Sequence, residues 1–216
     1  MRSPIDLRLY LVTDAALAAP RGLADTVRAA VKGGSGGGAT VVQLRDTTAS
    51  GRQLYLAAVE LLEVLAPTGV ALIVDDRLDV ALAAGAHGTH LGQSDLPADR
   101  ARAIAGPDHL LGLSAANPDE MAVLDGWPDG TVDYLGVGPV RATSTKADAG
   151  APIGLDGLRA TCHRTSLPCV AIGGMDASNA RAAMSAGAAG VAVVSAICGS
   201  ADPAQAAADL RACVQR

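Results

Sequence analysis

One pattern limits the fold of this chain more than any other. A short apolar run gives way to a longer amphipathic, alanine-rich stretch, and the alternation repeats eight times from end to end. The apolar runs fall at 9–13, 40–44, 70–74, 88–91, 110–114, 134–137, 169–172 and 190–194, and their length and content read as strands. Helical spacing follows each, at 23–32, 51–65, 78–84, 97–105, 119–124, 155–163, 178–186 and 203–214. Strict β-then-α order with short joins calls for right-handed crossovers and therefore parallel strands. Eight such units in 216 residues favour a closed sheet. The predicted fold is α/β, a single (β/α)8 TIM barrel filling 1–216 as one domain, near the small end of that architecture. An open doubly wound sheet is the alternative.

Composition decides what fills the barrel and which functions are excluded. Half of the residues are hydrophobic but only 2% are aromatic, with no Phe, so the interior is built from Ala, Val, Leu and Ile. Such small and β-branched side chains suit buried parallel strands under helices. A net charge of −5 and the lack of a long basic run argue against a nucleic-acid partner. No apolar stretch is long enough for a bilayer, and Met1 to Arg8 lacks the apolar core of a signal peptide. Cys162, Cys169, Cys198 and Cys213 have no CxxC or metal-ligand spacing. They read as buried free thiols, which implies a cytoplasmic location. The expected partners are small-molecule substrates, with no membrane involved; a homo-oligomer is left open.

The loops divide between the two ends of the barrel. Asn117-Pro118-Asp119-Glu120 has a capping residue, Pro at the first helical position and acids near the positive end of the dipole. Asp176 or Ser178 is expected to cap the seventh helix in the same way. The glycine-rich stretch from Gly33 to Gly38 follows a helix, at the stabilising end, and reads as a C-cap and turn. By contrast, the long connection at 138–153 follows a strand, on the side where barrels do chemistry.

Every strand of such a barrel points its C-terminal end at one mouth. Those ends carry Thr13 and Asp14, Gln43 and Arg45, Asp75 to Arg77, His90 with Gln93 and Asp95, Ser114, the Thr143–Lys146 stretch, Gly173-Gly174, and Val194-Ser195. Asp76 and Asp95 end adjacent units and can converge on one cation. Two carboxylates with water and phosphate oxygens is a set that Mg²⁺ favours; a turn or cap role is the alternative for either Asp alone. Arg45 and Lys146 suit phosphate oxygens, one as a planar fork and one as a point charge. Thr143 and Thr145 add hydroxyls beside that lysine. Gly173 and Gly174 let backbone N–H groups approach an anion, and loops seven and eight form the usual phosphate site of this architecture. His87, His109 and His163 are scattered and read as structural or exposed rather than as ligands, Cys198 has no neighbouring base to make it a nucleophile, and Trp127 is expected to pack over a helix end.

In register across nearly the whole chain, these segments resemble the thiamine-phosphate synthase family. The resemblance rests on Tyr10-Leu11-Val12-Thr13-Asp14, Gln43-Leu44-Arg45-Asp46, Asp75-Asp76-Arg77 and His90-Leu91-Gly92-Gln93-Ser94-Asp95. It continues through Gly112-Leu113-Ser114, Asp133 to Pro139, Thr143-Ser144-Thr145-Lys146, Ile172-Gly173-Gly174 and Val193-Val194-Ser195. It implies an enzyme that joins 4-amino-2-methyl-5-hydroxymethylpyrimidine diphosphate to 4-methyl-5-(2-hydroxyethyl)thiazole phosphate by dissociative substitution. By the same resemblance Asp76 and Asp95 bind Mg²⁺, and Arg45, Ser114 and Lys146 serve catalysis. Gln43, Arg45, Asp75, Ser114 and Lys146 hold the pyrimidine diphosphate, Thr143 and Thr145 belong to a closing loop, and Gly173, Gly174, Val194 and Ser195 receive the thiazole phosphate. Tyr10 contacts the organic rings. Two positions depart from the family pattern: Thr47 replaces a usual Lys and Asp75 a usual Asn, making the site two charge units more negative. A TenI-like thiazole tautomerase is the rival enzyme, but it lacks the paired aspartates and the T-x-TK loop; a phosphate-ligand sensor without turnover is the non-enzymatic alternative.

Overall fold

The computed structural model describes residues 5–32, 37–115, 117–143, 145 and 150–215. Eight parallel strands close a barrel in sequence order. They are β1 (Leu9–Val12), β2 (Val41–Leu44), β3 (Ala71–Asp75), β4 (Gly88–Leu91), β5 (Leu110–Ser114), β6 (Tyr134–Val137), β7 (Cys169–Ala171) and β8 (Gly190–Val193). Closure comes from β1 on β8, with Leu9 opposite Val191 and Leu11 opposite Val193. The helices are α1 (Ala15–Ala18), α2 (Leu23–Lys32), α3 (Gly51–Leu65), α4 (Leu78–Ala84), α5 (Ala98–Ala105), α6 (Pro118–Ala122), α7 (Gly154–Arg164), α8 (Ala180–Ser185), α9 (Ser195–Cys198) and α10 (Pro203–Val214). A 3₁₀ turn, Val123–Gly126, follows α6.

The two-residue period of the strands sorts their side chains into two cores. Tyr10, Val12, Val41, Ile73, Tyr134, Val170 and Ala192 pack inside the barrel. Their neighbours Leu9, Leu11, Val42, Leu44, Leu72, Val74 and Leu111 face outward, into a larger core shared with Val27, Leu54, Leu61 and Leu158 of the helices. Helix ends are set by local chemistry. Ser50 and Gln53 form a reciprocal capping box on α3. Asp202 accepts from the Ala204 and Gln205 amides ahead of Pro203 at the start of α10. Gly85 ends α4 in the left-handed region.

Several expected elements change at their ends. The segment at 15–18, which shows no helical period, forms a turn of helix because the Asp14 carboxylate accepts from Leu17 N at 3.0 Å. The helix expected at 119–124 starts one residue earlier behind its Asn117 cap and Pro118, then tightens into the 3₁₀ turn that delivers Trp127 to the core. Neither Asp176 nor Ser178 is the side-chain cap of α8. Asp176 instead accepts from the Ser178 amide at 2.8 Å, its own amide donates to Asn179 Oδ1, and the helix starts only at Ala180. Of the glycine-rich stretch, 33–36 lies outside the described residues. Gly38 leaves no room for a side chain, since a Cβ there would lie 2.0 Å from the Ala30 carbonyl oxygen.

The three scattered histidines are structural or exposed, as expected: His109 is buried, and His87 and His163 are exposed. His87 Nδ1 accepts from Leu72 N, His109 Nε2 meets Thr89 Oγ1, and His163 Nδ1 meets the Arg159 carbonyl. Burial, with the Arg102 charge second, pushes the His109 imidazole down to about 4. All four cysteines are free, two of them buried and two half-buried. Among the described residues, no helix is long and apolar enough to cross a membrane.

Candidate active site

The C-terminal ends of the strands surround a cavity of about 1020 Å³. Tyr10, Gln43, Arg45, Asp75, Asp76, Asp95, Ser114, Thr143, Thr145, Gly173, Gly174, Val194 and Ser195 all line it. Ser144 and Lys146 lie outside the described residues.

One side of the mouth is made of charged side chains. Arg45 follows β2, and its amide donates to Thr13 Oγ1 at 3.0 Å, which ties this turn to the end of β1. Its guanidinium Nε lies 3.1 Å from Asp75 Oδ2 at the end of β3. The Asp75 carboxylate is therefore already matched by a cation. Asp76 is the single non-glycine residue with positive φ among those described, at 59°, and its amide donates to the His90 carbonyl at 2.8 Å. Asp tolerates this left-handed geometry better than most residues, though not without cost. Asp95 Oδ2 accepts from Gly92 N at 2.7 Å, which holds its carboxylate at the rim. Behind Arg45, Asp46 accepts from the Thr48 hydroxyl and from the Thr48 and Ala49 amides, fixing the β2–α3 turn that carries Thr47. These bonds, that from the Thr48 hydroxyl first, hold its carboxyl below the usual range.

Opposite lies a side built from backbone. Gly173 and Gly174 have φ of 92° and 62°. A Cβ on Gly173 would sit 2.6 Å from Pro139 Cα, and one on Gly174 would sit 2.8 Å from Arg141 Cβ. Only glycine meets both demands. The turn is laced to its neighbours by Val140 N to the Ile172 carbonyl, Arg141 N to the Gly173 carbonyl, and Asn179 Nδ2 to the Gly174 carbonyl. Val194 and Ser195 complete this side at the start of α9. Beneath them burial pushes the Cys198 thiol up to about 11, so it is protonated and no nucleophile.

Between the two sides, Thr143 Oγ1 lies 2.9 Å from Thr145 Oγ1. The connection that carries them is drawn together at its base, where Ile153 N donates to the Pro139 carbonyl and Gly154 N to the Val140 carbonyl. The floor is polar. Gln43, Tyr10, Tyr134, His90 and Ser114 form a continuous line of hydrogen bonds. Tyr134 is a lining residue that sequence reasoning passed over, because a Tyr inside a buried strand looks like core. Its signal was the inward strand period that it shares with Gly136. Asn117 and Glu120 also line the rim, where sequence reasoning saw only a helix cap.

The arrangement offers an anion the Arg45 guanidinium on one side and backbone amides on the other. Among its described lining residues it has no Cys or Lys nucleophile. It suits a reaction in which positioning and charge stabilisation do the chemistry.

Comparison with known proteins identifies the family. A family profile described as "Thiamine monophosphate synthase" matches residues 9–197. A thiamine-phosphate synthase of Xanthobacter autotrophicus is 55% identical over 214 residues, covering 99% of this chain and 98% of the relative. Another, from Azorhizobium caulinodans, is 49% identical over 215 residues, covering 100% and 98%. Among solved structures, a thiamine phosphate pyrophosphorylase from Pyrococcus furiosus superposes with a TM-score of 0.86 at 37% identity, covering 97% of this chain and 96% of the other. A 3-hexulose-6-phosphate synthase superposes at 0.65 with 19% identity, covering 97% and 100%, and shares the fold alone.

Proposed function

The chain belongs to the thiamine-phosphate synthase family, and from the two-sided mouth we propose how it performs that synthesis. Its substrates are 4-amino-2-methyl-5-hydroxymethylpyrimidine diphosphate and 4-methyl-5-(2-hydroxyethyl)thiazole phosphate. The observation that carries this reading is the meeting of Arg45, Asp76, Asp95 and Ser114 with Gly173, Gly174 and Ser195 around one cavity. The pyrimidine diphosphate occupies the charged side, and the thiazole phosphate takes the glycine side.

The bond between the pyrimidine methylene carbon and the diphosphate oxygen breaks first, and its electron pair leaves with the diphosphate. The aminopyrimidine ring stabilises the resulting cation. The thiazole nitrogen then gives its lone pair to the methylene carbon, yielding thiamine phosphate and pyrophosphate. Arg45 and Lys146 bind the diphosphate oxygens, while Gln43 and Ser114 orient the ring. Thr143 and Thr145 close over both substrates and exclude water.

Asp76 and Asp95 fit a magnesium site. Mg²⁺ keeps most of its coordination for water and phosphate oxygens and needs few protein ligands. Among the described residues, no group of three or more His, Cys, Asp or Glu side chains forms a denser cage. Bound there, Mg²⁺ would supply neutralisation of the charge that gathers on the leaving diphosphate. The four free cysteines support a cytoplasmic enzyme.

The test is product formation from the two purified substrates with Mg²⁺, in wild type and in Asp95→Ala and Lys146→Ala. Turnover in wild type and a loss of about 100-fold or more in each variant is the expected result. Thiazole phosphate binding without turnover in wild type would replace this reading with that of a sensor.

A further inference from the structure

Three successive peptide units after β7 have their carbonyls tied down from behind the cavity. Val140 N donates to the Ile172 carbonyl at 2.8 Å, and Arg141 N donates to the Gly173 carbonyl at 3.0 Å. The third donor is a side chain, Asn179 Nδ2, which lies 2.8 Å from the Gly174 carbonyl oxygen. Val140, Arg141 and Asn179 do not line the cavity, whereas Ile172, Gly173, Gly174 and Met175 do. A trans peptide points its C=O and its N–H to opposite edges. Holding the three carbonyls outward therefore turns the amides of Gly173, Gly174 and Met175 toward the cavity. Among the described residues, these three amides donate to no protein atom.

Asn179 stands immediately before α8, where Asn is a favoured cap, yet its side chain makes no capping bond to that helix. It reaches back instead. Its Oδ1 accepts from Asp176 N at 3.0 Å while its Nδ2 holds Gly174, so one amide group spans the turn from 174 to 176. A carbonyl only accepts and a backbone N–H only donates, so these two partners fix which end of the side chain is nitrogen. The Val140 and Arg141 bonds are made by backbone and persist whatever side chains stand there. Of the three ties, that from Asn179 alone is carried by a side chain.

We propose that Asn179 is a positioning residue for the glycine side of the mouth. By holding the Gly174 carbonyl outward it sets the Met175 amide as a third donor, beside those of Gly173 and Gly174, to the phosphate of a monoester. Successive backbone N–H groups turned to one side form a concavity that suits an anion. The inference rests on the thiazole phosphate being the ligand of this side. It adds to that reading a donor, Met175, and the residue outside the cavity that aims it.

The chain has four methionines, so nitrogen-15 methionine labelling of the full chain gives a spectrum of few amide signals. That of Met175 is assigned by its loss in Met175→Leu. In wild type the Met175 amide is expected to move downfield on titration with inorganic phosphate and with the thiazole phosphate, as a donor to an anion does. Asn179→Ala removes both bonds of the side chain, and Asn179→Asp keeps the acceptor for Asp176 but loses the donor to Gly174. Each is expected to raise the titration midpoint, and KM for the thiazole phosphate, about tenfold, the equivalent of one lost hydrogen bond to a charged group. KM for the pyrimidine diphosphate is expected to stay unchanged. A Met175 amide that responds to neither anion in wild type overturns the third donor. Unchanged midpoints and KM in both variants, or a rise in both KM values, overturns the positioning role. Asn179→Asp serves if Asn179→Ala does not fold. A Met175 signal that answers inorganic phosphate but not the thiazole phosphate would instead overturn the assignment of the substrate to this side, and the role of Asn179 in anion binding would still stand.

Discussion

The two sides of the mouth are built by opposite means. The side fed by β2 to β5 is written in side chains: Arg45 against Asp75 at 3.1 Å, then Asp76 and Asp95, and then Ser114. The side fed by β7 and β8 is written in backbone, with two successive glycines in the left-handed region where no Cβ fits. A side-chain site can be retuned one charge at a time. A backbone site is all or nothing, because its donors exist only while the turn holds its shape. Thr47 and Asp75 both lie on the first side.

Four substitutions separate these two modes. The largest effect is expected at Asp76, where glycine keeps the left-handed backbone and deletes only the carboxylate. Asp76→Gly should melt no lower than wild type, since it removes a strained φ, yet lose about 100-fold or more in turnover. Full activity in a folded Asp76→Gly protein would show that this side does not depend on that charge. Next is Gly173→Ala, which places a Cβ 2.6 Å from Pro139 Cα at a φ of 92°. A cost of about 1–3 kcal/mol in denaturant unfolding is expected, with KM raised for the thiazole phosphate alone. A rise in both KM values would mean that the two sides are not independent. The smallest effect is expected at Asp75. Asp75→Asn frees the Arg45 guanidinium for phosphate, and KM for the pyrimidine diphosphate should fall by about twofold to fivefold, the scale of a partly exposed ion pair. Thr47→Lys should act in the same direction by adding a cation. Magnesium titrations of both variants should show shallower dependence than wild type; identical curves would remove any part for these two residues in setting it.

Much of this was legible before any coordinates. The eight-fold alternation carried the barrel, and the rule that strand ends share one mouth gathered Gln43, Arg45, Asp76, Asp95 and Gly173 around one cavity. Periodicity is silent on anything shorter than about two turns, so α1, held by a single Asp14 cap, was invisible. It is equally silent on pairings between distant strands. Tyr10 and Tyr134 are 124 residues apart, and their contact exists only because closure of the sheet turns both inward. The Arg45–Asp75 pair fails for another reason. Both residues follow strand ends and so belong to the mouth, yet which cation each acid meets depends on how the side chains lie across the β2–β3 register. The charge sum of the site could be read from sequence, but its distribution could not.

The base of the 139–154 connection has an evolutionary consequence. Ile153 donates to the Pro139 carbonyl and Gly154 to the Val140 carbonyl, so the two ends of the excursion are stapled to each other and, through Val140, to the end of β7. Whatever length of chain lies between those staples leaves and rejoins the barrel at the same place. The closure entropy of a loop grows only slowly with its length. The socket therefore tolerates tips of different size and chemistry, and a lineage can trial new lids over an unchanged scaffold, acquiring new substrates without refolding the protein that carries them.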